Sequence, residues 1–302
     1  MAFRRSIISL VKNNQISAFR TSLIDEASSS TIRLIHTHNS NIRAELFKLP
    51  RRIILIRHGE SLGNVDDTSY ASIPDWKIPL TRRGERQAAH AGEELHNLIK
   101  GERLFTYCSP YKRTIETWDI MKESLKEKDD VTLVGTREEP RIAEQQFGNF
   151  QNPKKVRTAK VERRTFGRFF FRFPNGEAGL DVYNRASSFL ATLSRDLQWL
   201  EANSVPMEDL NILIVTHGLT LRLLLMRYFQ LTVDEFENSY NSQNAKLVIM
   251  DRLVREDNSE FFRLDDTSTE ALNLKGEVSS EKPVYWRGSA LDVDPYNDAS
   301  DS

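Results

Sequence analysis

Between residues 51 and 253, short apolar, β-branched runs alternate with longer runs of helical period. That alternation narrows the possible folds more than any other feature. The strand-like runs are RRIILIR (51–57), LFTYCS (104–109), VTLVG (131–135), LNILIVTH (210–217) and AKLVIMDRL (245–253). The helix-like runs cover 82–100, 111–126, 180–202 and 219–229, and Thr81 offers an entry to the first of them. Near-continuous apolar strands are buried on both sheet faces. Strand–helix alternation implies parallel strands joined by crossover helices. The expected fold is therefore α/β: a three-layer α/β/α sandwich with a mostly parallel central sheet.

The flanks differ in composition. Residues 1–48 are rich in Ser, Thr and Asn, and the first 24 carry Arg4, Arg5, Lys12 and Arg20 but no acid. Such a start suits a flexible extension and equally an organelle presequence, so a cytoplasmic and an organellar (mitochondrial or plastid) location both stay open. Residues 256–302 are acidic, with Asp257, Glu260, Asp265, Asp266, Glu270, Asp292, Asp294, Asp298 and Asp301. They are read as a mostly disordered tail, with PVYWRG (283–288) as an aromatic island. The folded domain is then 49–255. A net charge of −1 gives no global field toward nucleic acid or a membrane surface. No apolar run approaches the roughly 20 residues of a membrane span. The single cysteine, Cys108, excludes an internal disulfide and a multi-cysteine zinc site, and its apolar setting suggests an inert buried thiol.

In open α/β sheets, ligands bind beyond the carboxyl ends of the strands. Three such ends carry chemistry here: Arg57-His58-Gly59, Cys108-Ser109-Pro110 with Arg113 close behind, and Thr216-His217-Gly218. A lone histidine is more often structural, and a lone arginine is usually a solvated charge. Two His-Gly units and a matching arginine on one sheet edge are harder to dismiss. Burying these cations without an anion is costly, and a phosphoryl dianion removes that cost.

These residues also carry a family resemblance. RHGES-x-x-N (57–64), PLTRRGERQA (79–88), SPYKRTIET (109–117), EQQFGNFQ (144–151) and VTHG (215–218) occur in the order seen in the histidine phosphatase superfamily. The chain resembles its phosphoglycerate mutase-like branch over roughly residues 50–255. The resemblance implies His58 as the nucleophile, with Arg57, Arg113 and His217 around the transferring phosphoryl group. Asn64 and Gly59 would add substrate contacts, and Glu144 would be the general acid. Flanking guanidiniums suit such a role, since like charge keeps a histidine neutral and arginine pairs bidentately with phosphate oxygens. No metal or other cofactor is needed, because arginines supply the positive charge.

The implied activity is hydrolysis of a small phosphomonoester through a phosphohistidine. The family's naming suggests carbohydrate metabolism. A cofactor-dependent phosphoglycerate mutase is the alternative, although Gln145 stands where mutases carry arginine. A catalytically weak binding protein is the second alternative. Residues 151–172 hold eight basic residues against Glu162. Read as a lid, with Arg163 and Arg164 as substrate contacts, this stretch favours a second phosphate or a carboxylate. It could equally be a solvated amphipathic helix. The expected partner is a small phosphorylated substrate, not nucleic acid or membrane, and oligomeric state is left open.

Overall fold

The computed structural model describes residues 48–148 and 153–281, apart from the side chains of Asp67, Pro153, Lys154 and Val156. The possible presequence, the aromatic island and the last part of the acidic stretch lie outside the described residues. Six strands form one sheet in the order β3-β2-β4-β1-β5-β6: β1 (Arg52–Arg57), β2 (Arg103–Cys108), β3 (Thr132–Glu138), β4 (Leu210–Thr216), β5 (Leu247–Val254) and β6 (Glu260–Leu264). β1 pairs in parallel with β4, and β2 in parallel with both β4 and β3. β5 and β6 close the far side antiparallel. The four parallel strands therefore end along one edge.

Eight α-helices are described: α1 (Leu62–Val65), α2 (Arg82–Ile99), α3 (Lys112–Lys126), α4 (Pro153–Phe166), α5 (Gly179–Ala202), α6 (Gly218–Phe229), α7 (Val233–Asn238) and α8 (Asp266–Ala271). The period-2 geometry of β1 sends alternate side chains to opposite faces. Ile54 and Ile56 join Leu213 and Val215 of β4 against Leu95 of α2 and Met121 of α3. Ile53, Leu55 and Ile214 turn the other way, toward Leu190 and Leu193 of α5 and Leu224 and Leu225 of α6. Every residue of β4 is buried, as a central strand covered on both faces requires. Thr81 caps α2 as its sequence suggests, accepting from the Gly84 N–H at 3.1 Å. No helix among the described residues is long and apolar enough to cross a membrane.

The stretch from residue 256, read as the start of a disordered tail, is folded through Glu281. Phe261, Phe262 and Leu264 of β6 are buried, and the acids around them have structural partners. The Glu260 carboxylate accepts from the Leu49 N–H at 2.7 Å and pairs with Arg252 at 3.4 Å. Asp257 accepts from the Ser259 N–H at 2.9 Å, and Asp265 caps α8. Acid density here marks turns and caps rather than failure to fold.

Candidate active site

Backbone hydrogen bonding continues past the strand ends and fixes the residues that follow. The His58 N–H donates to the Thr216 carbonyl at 3.0 Å, and the Ser109 N–H to the Val215 carbonyl at 3.0 Å. His58, Arg113 and His217 are all buried. The two imidazoles meet edge to face, with ring centroids 5.2 Å apart.

His58 Nδ1 lies 2.7 Å from the Gly59 carbonyl, which can only accept, so the partner assigns the proton to Nδ1. Nε2 then carries the lone pair and accepts from Arg113 Nε at 3.2 Å. Burial, followed by the Arg113 and Arg57 charges, holds His58 well below the usual histidine range, so it stays neutral. Arg113 is fixed in turn by Asp75, whose carbonyl and carboxylate oxygens accept from Nη1 at 2.8 and 2.9 Å. Its guanidinium stacks 4.8 Å over the Tyr111 ring. Arg57 is half-buried and donates to the Ser242 carbonyl at 3.1 Å.

His217 caps the N-terminus of α6, and its Nε2 lies 2.8 Å from the Ser109 hydroxyl. Its Nδ1 is buried with no partner, and Tyr111 packs edge-on at 5.0 Å. Burial and then Arg113 hold it well below the usual histidine range too.

Glu144 is half-buried in the loop that follows β3 and the turn Pro140–Ile142. Burial raises its carboxyl above the ordinary range, and Asp75 adds to that. Arg113, the Gln145 N–H and Arg57 oppose the rise without cancelling it. The irregular loop is held carbonyl by carbonyl. Arg185 of α5 donates to the carbonyls of Arg141 at 2.7 Å, Ala143 at 2.8 Å and Glu144 at 3.0 Å. The Thr216 hydroxyl takes the Ile142 carbonyl at 2.7 Å, and Thr220 shares that of Ala143 at 2.8 Å. Glu177 locks Arg185 through two bonds of 3.1 Å.

The remaining expected contacts fare differently. Asn64 is exposed at the site's rim, its Oδ1 accepting from the Ser61 N–H at 3.0 Å. The Gly59 N–H already donates to Thr117 Oγ1 at 3.0 Å. A Cβ on Gly59 would lie 2.5 Å from the Gly84 carbonyl oxygen, so the glycine is required by backbone packing rather than by ligand approach. Arg163 is occupied by Gln145 Oε1 at 3.1 Å and lies 5.6 and 5.3 Å from the Phe147 and Phe173 ring centroids. Its Nε is buried with no partner among the described residues, and its charge is felt by Glu144. Arg164 is exposed on α4, and the structure does not bring it into the site. The basic stretch is thus a helix whose charges are largely turned to solvent or to neighbours. Asp75, Ser109, Tyr111 and Arg185 carry geometry that sequence reasoning did not assign. For Ser109 and Tyr111 the signal lay in the SPYKRTIET motif itself.

Beside this cluster opens a cavity of about 440 Å3, bounded by Tyr70, Ile73, Asp75, Trp76, Tyr111 and Phe147 among others. Tyr111 and Asp75 belong to both, so the cavity adjoins the histidine–arginine cluster.

Comparison with known proteins places this geometry in context. The profile of the histidine phosphatase superfamily (branch 1) matches residues 53–263. The phosphoglycerate mutase-like protein AT74H of Arabidopsis thaliana is 46% identical over 212 residues, covering 67% of this chain and 74% of its own length. The broad-range acid phosphatase DET1 of Saccharomyces cerevisiae is 29% identical, covering 67% of this chain and 85% of its own. Among solved structures, a mycobacterial glucosyl-3-phosphoglycerate phosphatase in complex with VO3 shares the fold. Its TM-score is 0.53 at 22% identity, over 71% of this chain and 97% of that one.

Proposed function

The chain belongs to the histidine phosphatase superfamily (branch 1), and from that premise we propose that it is a phosphoric monoester hydrolase acting on small phosphomonoesters through a phosphohistidine, without a metal. The observation that carries the reading is the fixed tautomer of His58: Nδ1–H is tied to the Gly59 carbonyl, and a neutral Nε2 lone pair stands among cationic groups.

In this reading the substrate phosphoryl group enters between Arg57, Arg113 and His217, and its oxygens take over the Arg113 Nε donor. With the Ser109 hydroxyl taken as donor to His217 Nε2, the proton lies on Nδ1, a buried donor that a phosphoryl oxygen would satisfy. Asn64 offers its amide N–H at the rim. His58 Nε2 attacks phosphorus as the ester P–O bond breaks, and protonated Glu144 gives its proton to the departing alkoxide. The Glu144 carboxylate then takes a proton from water, which attacks the phosphohistidine and releases inorganic phosphate with His58 restored. Two guanidiniums supply the positive charge that a divalent cation supplies in other phosphoryl-transfer sites.

The test is inorganic phosphate release from aryl, sugar and glycerate monophosphates, with no added metal and with excess chelator. Turnover that chelator leaves unchanged is the expected result. Absence of turnover on the whole panel, or bisphosphoglycerate-dependent isomerisation of phosphoglycerate without hydrolysis, would overturn the reading.

Arg185 acts here as a positioning residue, since its bonds go to the backbone that carries Glu144 and to the Glu177 carboxylate. Arg185→Lys keeps the charge but not the planar fork needed for three carbonyls and Glu177. It is expected to lower kcat on alkyl phosphates about 10- to 100-fold, the cost of an acid displaced by about 1 Å. KM should stay within about threefold, and the first, nitrophenol-releasing step on nitrophenyl phosphate, which needs little acid help, should be much less affected than the first step on alkyl phosphates. An equal loss on both substrate types would remove the assigned role.

A further inference from the structure

The cavity beside the phosphoryl site shows which alcohol would be cut away. We propose that it is the leaving-group subsite and that it selects monoesters of uncharged aromatic or otherwise apolar alcohols over substrates with a second phosphate or a carboxylate. The proposal rests on the hydrolase reading above and names its substrate class.

The walls supply the reason. Tyr70, Trp76, Tyr111 and Phe147 set four aromatic rings around the cavity beside Ile73 and Pro74, with Ser72, Asp75 and Gln146 as its polar members, and its volume of about 440 Å3 accommodates a ring. Trp76 is 54% exposed on the turn Asp75–Lys77, with the Lys77 ammonium over its ring at the rim. Phe147 is set rigidly, edge to face with Phe173 at 4.8 Å and backed by Arg163. The one charged residue among the described lining is Asp75, an acid already paired with Arg113.

The basic residues of 157–172 do not change this. Arg163 is not part of the lining; it stacks 5.6 Å from the Phe147 ring centroid and donates to Gln145. Arg168 donates to the Glu237 carbonyl, and Arg172 pairs with Asp181. Arg157 and Lys77 are exposed, the latter resting 4.8 Å over the Trp76 ring at the rim. A second anion in the cavity would lose water without gaining a buried cation, which is unfavourable. A ring would lose water against aromatic faces, which is favourable.

Three phosphonates, which cannot be hydrolysed, separate binding from turnover. Calorimetry on the full chain would compare phenylphosphonate, methylphosphonate as the reference, and phosphonoacetate. Phenylphosphonate is expected to bind about tenfold tighter than methylphosphonate, the size of effect expected for taking an aryl ring out of water. Phosphonoacetate should bind no tighter than the reference. In Trp76→Ala with Phe147→Ala, neither of them a buried residue, the phenyl advantage should shrink to about threefold or less. Tighter binding of phosphonoacetate, no phenyl advantage, an advantage unchanged in the variant, or no binding of any phosphonate would each overturn the subsite. Phenyl selectivity in a chain that hydrolyses nothing would leave the subsite standing and sink the hydrolase reading.

Discussion

His58→Ala is expected to lose phosphatase activity by about 10^4-fold or more, equivalent to about 5.4 kcal/mol of transition-state stabilisation. The loss follows from the tautomer. Nε2 is the one nitrogen of the His58 ring that carries a lone pair, shared with the Arg113 Nε–H until a phosphoryl oxygen displaces it, and no neighbour can take over its attack. His217 has its own Nε2 engaged by Ser109. Removing the imidazole leaves the arginines in place, so substrate binding should survive with KM changed by only a few-fold, while kcat collapses. Acid-labile phosphate should be trapped on the wild-type chain after rapid quenching with labelled substrate and be absent from His58→Ala. A variant that still turns over at a tenth of the wild-type rate, or wild type with no trapped intermediate under conditions of slowed hydrolysis, would exclude the covalent route.

Glu144→Gln should divide substrates by leaving group. Alkyl phosphates need a proton as the P–O bond breaks, and the expected loss is about 10^2- to 10^4-fold in kcat. Nitrophenyl phosphate departs without that proton, so its first step should slow by about tenfold or less. Its second step still needs Glu144 as base. The variant should therefore release one equivalent of nitrophenol in a burst and then stall as phosphoenzyme.

The pH dependence follows from two opposite shifts. His58 is held neutral to well below the usual histidine range, so the nucleophile is lost only as pH falls through that lowered value. Glu144 is raised above the ordinary carboxyl range, so the acid is lost as pH rises through that elevated value. Wild-type kcat on alkyl esters should peak in the acid range and decline toward alkaline pH. Glu144→Gln should abolish the alkaline decline. A decline that persists unchanged in the variant would assign the acid to another group.

Much of the scaffold is legible in the chain because the central strands are buried on both faces and advertise it. Ile53 to Ile56 and the ILIV of β4 read as strands with no knowledge of their neighbours. β6 does not, because it is an antiparallel edge strand of five residues, with Glu260 and Arg263 interrupting its apolar positions. Its acids look like those of a disordered tail until their caps and pairs are seen. The site divides in the same way. His58, Arg57, Arg113 and His217 sit at strand ends that the apolar pattern locates. Arg185 and Asp75 lie in unremarkable polar stretches, and they matter only through contacts with residues some 40 positions away. Arg163 is a different case: charge in a sequence does not say what the guanidinium touches, and here it stacks against Phe147 and Phe173 and donates to Gln145.

The four consecutive carbonyls held around Glu144 set how this protein should come apart. Catalytic loops are usually drawn from the least protected parts of a fold and open long before the core. Here Arg141, Ile142, Ala143 and Glu144 are tethered to α5, β4 and α6, the elements that cover and centre the sheet. Two of their donors, Thr216 and Thr220, belong to the buried interior. Opening that loop means disrupting the core itself, so amide exchange there should occur by the same cooperative event that unfolds the domain. The proton donor is thus expected to lose its protection together with the core, whereas Trp76 stands exposed on a turn held at Asp75.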